Sequence, residues 1–160
     1  IIGEQEFIKR LDSWVFKNAQ ADAAWIAGKK SSGIPPYFRT FKEPLYRGML
    51  VDPAFLESVN AGKMALKDYA SWTKDPALAK KFATDKKYSI AKKGSIPILI
   101  KKTISPNDQI LDIDLLIQFM GMQQLIMLGF DELALDSASK ESEVLCGKGV
   151  KILAKDVTVL

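Results

Sequence analysis

Apolar residues recur at helical spacing most clearly at the start of the chain. Between Glu4 and Ile26, the positions Phe7, Ile8, Leu11, Trp14, Val15 and Asn18 follow the i, i+3, i+4, i+7 rhythm. This predicts one or two helices with a single inward stripe, Trp14 and Trp25 serving as core anchors. Gly28 to Pro36, with two lysines, two serines and two prolines, predicts a loop that ends the helical part. Beyond it the apolar runs shorten to strand length. Pro44 to Leu50 predicts a strand, Pro53 to Asn60 a helix capped by Asp52, and Tyr69 to Thr73 a second strand. Asp75 and Pro76 open a helix with Ala79, Phe82 and Ala83 facing inward.

Further on, Ile96 to Ile104 and Gln109 to Ile113 predict paired strands across a Ser105–Asp108 turn. Asp114 to Leu128 predicts one helix, with Met120, Met122 and Met127 filling core. Glu132 to Asp136, Glu143 to Cys146, Val150 to Leu153 and Val157 to Leu160 predict strands, with a hairpin at Gly147-Lys148-Gly149. Helices first and mainly antiparallel strands afterwards make an α+β domain, with residues 1–43 as its helical part and 44–160 as its core.

At 160 residues the chain fits one domain able to bury a full core. No apolar run approaches the roughly 20 residues that span a bilayer. The chain has no histidine and one cysteine, Cys146, which excludes Ser-His and Cys-His triads, imidazole metal sites and an internal disulfide. Acid–base work therefore falls to carboxylates, Lys or Tyr. The net charge is +4, but the basic residues are spread apart from one cluster at Lys80, Lys81, Lys86, Lys87, Lys92 and Lys93. Such a cluster solvates a helix and loop more readily than it reads nucleic acid, and it also suits a phosphate-bearing small ligand. Ile1-Ile2-Gly3-Glu4 lacks an initiator Met and the features of a signal peptide. This predicts a processed or excised monomeric domain acting in the cytoplasm of a host or target cell, where it is made or after delivery.

Three short stretches carry candidate chemistry. In an extended Glu141-Ser142-Glu143, the two carboxylates project from one face with Cα atoms about 6.6 Å apart. Like charges that close repel, and a plain strand gains nothing from them. In Leu45-Tyr46-Arg47-Gly48, Arg47 shares a strand face with apolar Leu45 and Met49, so its guanidinium calls for an anion, either an internal carboxylate or a ligand phosphate. Ser71 and Thr73 place two hydroxyls on one face at a strand end.

Tyr46-Arg47-Gly48, then Ser71-x-Thr73 with the Asp-Pro helix, then Glu141-x-Glu143-Val-Leu, in this order, resembles the R-S-E class of mono-ADP-ribosyltransferases of bacterial toxins and phage proteins. The resemblance runs from about Pro44 to the end of the chain. It implies a two-sheet core that uses NAD as substrate without a metal. It implies that Arg47 holds the NAD phosphates and adjacent ribose, that the Gly48 backbone meets the nicotinamide amide, and that Ser71 orients the catalytic Glu143. Thr73 and Tyr88 complete the implied NAD site, Tyr88 from the lysine-rich loop. Trp72 departs from the family's usual Thr, and Thr73 from its usual Ser. Glu141 at the first motif position implies an arginine acceptor on a partner protein, with residues 136–140 as the loop that touches it. The chemistry fits these roles, because cleaving the nicotinamide–ribose bond develops oxocarbenium charge that a fixed carboxylate stabilises. A second carboxylate can take a proton from an incoming guanidinium. Two alternatives stay open: an NAD glycohydrolase, and an inactive basic binding module of the same fold.

Overall fold

In a computed structural model that describes residues 2–85 and 92–160, the chain is α+β. Its helices are α1 (Gln5–Lys17), α2 (Gln20–Gly28), α3 (Pro53–Asn60), α4 (Pro76–Thr84), α5 (Ile113–Met120), α6 (Met122–Met127) and α7 (Glu132–Glu141). Its strands are β1 (Leu45–Val51), β2 (Ala70–Thr73), β3 (Ile96–Lys102), β4 (Gln109–Asp112), β5 (Glu143–Cys146) and β6 (Val157–Val159). All six strands form one antiparallel sheet in the order β4-β5-β2-β1-β3-β6. The described residues thus form one sheet where two were expected. It is hinged at its middle, since β1 and β2 share a single registered pair, Tyr46 opposite Thr73, whereas β1 pairs with β3 along its whole length.

The locally encoded elements form as their residues dictate. The side chain of Asp52 accepts from Phe55 N at 2.9 Å and that of Asp75 from Ala77 N at 2.9 Å, each followed by Pro at the first helical position. In α1 the predicted stripe buries Phe7, Ile8, Leu11 and Trp14. The turn from α1 to α2 passes through Asn18 in the left-handed conformation at φ 52°, which a short polar side chain tolerates.

Six expectations are corrected. Residues 132–136 are helical: Asp131 caps α7 by accepting from Ala134 N at 3.0 Å, and Ala134, Leu135 and Ala138 bury a helical stripe. The helix runs through residues 136–140, so the expected acceptor loop is a helix instead. The strands β3 and β4 follow one another but do not pair, because the buried Gln109 side chain bonds Phe41 O at 2.7 Å and Ile104 O at 2.9 Å and turns the chain toward β5. After β5 there is no hairpin: residues 150–152 bond back to 64–66 through an isolated bridge, Ala65 opposite Lys151. Gly121, at φ 83°, splits the expected 114–128 helix into α5 and α6, and Met127 is exposed where core filler was expected.

Strand alternation divides the interior. Ala70 and Trp72 of β2 and Val144 and Cys146 of β5 join Leu45, Ile98 and Ile100 in one apolar cluster. Leu145, on the other face, belongs to a cluster built with α1, α2, α5 and α7. Glu143 shares that second face. No helix among the described residues is long and apolar enough to cross a membrane.

Candidate functional site

Where β1 and β2 diverge, a cleft of about 390 Å³ opens between the sheet, α4 and the α1–α2 corner. It is lined by Trp14, Val15, Asn18 and Gln20 from the corner, by Tyr46, Arg47 and Gly48 from β1, by residues 68–73, by Phe82, and by Glu141 and Glu143. The structure therefore brings Arg47, Gly48, Ser71, Thr73, Glu141 and Glu143 to one place. Tyr88 lies outside the described residues.

Arg47 sits at the hinge. One registered position beyond Tyr46–Thr73 the β1–β2 ladder stops, and the Arg47 Nη1 group donates to the Ser71 carbonyl at 2.8 Å in place of a backbone amide. No ion pair with a carboxylate is found for it among the described residues, so the internal salt bridge that its strand position allows is not made. Its Nε is buried and unpartnered, and burial pushes its pKa down. A buried guanidinium with a spare donor is disposed to receive an anion.

Gly48 is required by packing. A Cβ there would lie 1.7 Å from the Ala79 carbonyl oxygen, so the missing side chain is what lets α4 press against β1 and bring Phe82 to the cleft.

The Ser71 hydroxyl donates to Glu143 Oε1 in a short hydrogen bond. In the β2–β5 ladder Thr73 is opposite Glu143 and Ser71 opposite Leu145, so Ser71 reaches the carboxylate on the diagonal. Glu143 is only 4% exposed, and its Oε2 is buried without a partner. Burial raises its pKa most, the Ser71 bond lowers it and Glu141 raises it, to a result of about 7.

Glu141 is not beside Glu143 on a strand, as extended geometry predicted. It ends α7, Ser142 follows in the left-handed conformation at φ 47°, and Glu143 begins β5. The two carboxylates still border the same cleft, but from a helix end and a strand start. Burial raises the pKa of Glu141, and Ser137 lies 3.4 Å from its Oε1. The Thr73 hydroxyl is committed to this junction: it donates to the Glu141 carbonyl at 2.6 Å and accepts from Asp75 N at 3.0 Å. Thr73 thereby ties the end of α7 to the start of α4. The Trp72 ring is 1% exposed and packs in the apolar cluster on the opposite side of β2. Trp72 therefore turns its side chain into core.

Comparison with known proteins finds no match to this chain among family models, curated proteins or solved structures.

The corner residues Trp14, Val15, Asn18 and Gln20 are cleft residues that sequence reasoning assigned to helix or core. The one signal was Asn18, a polar residue continuing the apolar stripe of α1. The arrangement as a whole offers one buried cation, one carboxylate held by a hydroxyl, a second carboxylate near it, and aromatic walls from Tyr46, Tyr69 and Phe82. It can hold an anion at one end and stabilise a developing positive charge at the other. Among the described residues, no group of three or more His, Cys, Asp or Glu is placed to hold a metal ion.

Proposed function

We propose that this chain is a mono-ADP-ribosyltransferase that transfers ADP-ribose from NAD to an arginine of a partner protein and releases nicotinamide. The observation that carries the reading is the Ser71–Glu143 hydrogen bond in a cleft that also contains Arg47 with an unpartnered donor. The hinged sheet, three strands on either side of the β1–β2 joint, supports the two-sheet core that the family resemblance implies.

In this reading Arg47 binds the phosphates and Gly48 offers its backbone to the nicotinamide amide. Glu143, ionised and oriented by Ser71, accepts a hydrogen bond from the ribose 2′-hydroxyl. It stabilises the positive charge on C1′ as the C1′–N bond breaks and its electron pair leaves with neutral nicotinamide. Glu141 binds the incoming guanidinium and takes its proton as a nitrogen lone pair bonds to C1′. The α7 C-terminus, rather than a loop, then carries the acceptor-facing carboxylate. Hydrolysis is the second reading. A helical 136–140 segment favours it, since a mobile acceptor-binding loop is not found there.

Nicotinamide release from NAD, measured with and without an arginine analogue, tests both. Transfer predicts release that rises with the analogue, a loss of about 10²–10³-fold in Glu143→Gln, the scale on which transition-state charge stabilisation is felt, and Glu141→Gln retaining NAD consumption while losing transfer. Release indifferent to acceptor in the native chain and in Glu141→Gln selects hydrolysis. No NAD binding at all overturns both.

A further inference from the structure

The α1–α2 corner places at the cleft a residue that has a buried, unpartnered hydrogen-bond donor. Trp14 lines it, is 1% exposed, and its indole Nε1 has no partner among the described residues. Orphaned buried donors are rare because each forfeits its hydrogen bonds to water. Trp72, whose indole is also unpartnered, turns its side chain into the apolar cluster on the face of β2 opposite Ser71. Trp14 packs in the apolar cluster on the Glu143 face and borders the cleft together with two further orphaned polar atoms, Arg47 Nε and Glu143 Oε2.

The corner is also fastened to the catalytic strand. The Gln20 side-chain amide donates to Tyr69 O at 2.9 Å and accepts from Tyr69 N at 2.8 Å, gripping the backbone two residues before Ser71 as a neighbouring strand would.

Resting on the NAD reading above, we infer that Trp14 is a substrate-contacting residue whose indole N–H donates to an acceptor oxygen of the bound dinucleotide, and that Gln20 is a positioning residue that holds Trp14 over the cleft. The N-terminal helices are then a wall of the site. Trp14 acts in ground state and transition state alike, so its loss weakens binding without slowing the bound complex.

The test replaces Trp14 with benzothienylalanine, which keeps the fused ring and deletes only the N–H, and separately makes Gln20→Ala. NAD affinity by direct titration should fall about five- to tenfold in the isostere, the size of one hydrogen bond. Its KM should rise equally, kcat should stay constant, and the thermal midpoint should hold. Gln20→Ala should show the same affinity loss together with faster hydrogen exchange at the Tyr69 amide. An isostere that binds NAD as tightly as the native chain overturns the inference while leaving the transferase reading intact. A native chain that does not bind NAD overturns both.

Discussion

The β2–β5 pair has two faces with opposite characters. On one, Ala70, Trp72, Val144 and Cys146 meet Leu45, Ile98 and Ile100 with no charged group among them. On the other, Ser71, Thr73 and Glu143 stand at the cleft, with a buried carboxylate whose second oxygen has no partner. The same eight residues of strand therefore make an apolar core on one side and retain desolvated polar groups on the other. The apolar face stabilises the fold by removing surface from water. The cleft face spends part of that stability to hold Glu143 where it is hard to ionise.

Substitutions on the two faces should consequently behave differently. Trp72→Ala removes the largest side chain of the apolar face and should cost about 3–5 kcal/mol, read from urea unfolding. A cost below about 1 kcal/mol would show that Trp72 is not the core residue its burial implies.

The cleft face should reveal itself through pH. Glu143 has its folded pKa raised to about 7 from an ordinary 4.5. A raised carboxyl pKa means that the folded state holds the proton more tightly. The contribution to stability is complete below pH 4.5 and is lost as pH rises through about 7. At roughly 1.4 kcal/mol for each pH unit between the two values, the loss reaches at most about 3–4 kcal/mol. Stability measured at pH 5 and pH 8 should show this fall in the native chain and not in Glu143→Gln. In the same range kcat/KM for NAD should rise as the carboxylate forms. A flat stability profile in the native chain would contradict the burial of Glu143.

A smaller effect sharpens the boundary between core and cleft. Gly48→Ala drives a methyl group into the Ala79 carbonyl and should cost about 1–3 kcal/mol as α4 shifts from β1, with NAD binding weakened in step. Unchanged stability would mean that the helix yields freely and that Gly48 serves the ligand alone.

Much of the architecture was legible locally. Asp52-Pro53 and Asp75-Pro76 name two helix starts, and β1, β2 and β5 lie at their expected places. Six of the seven proposed site residues border one cleft, and the seventh, Tyr88, lies outside the described residues. Less legible was anything depending on distant partners. β3 and β4 look like a hairpin because their turn is short, yet each pairs elsewhere. Trp14 looks like a core residue because one stripe of α1 is apolar, and the stripe alone cannot say that its end meets a cleft.

The chain's own pattern determined the α+β composition, the caps, the strand faces and which side chains have chemistry to offer, because these follow from periodicity and from single-residue conformational preference. Tertiary structure decided the rest. It ended α7 at Glu141 through a left-handed Ser142 held against β2 by the Thr73–Glu141 bond. It opened the sheet at Tyr46–Thr73 so that Arg47 bonds across the gap, and it bonded the α1–α2 corner to the Tyr69 backbone at the edge of the cleft. Each of these depends on contacts between residues far apart in sequence, such as Gln20 with Tyr69 and Thr73 with Glu141, which no local pattern encodes.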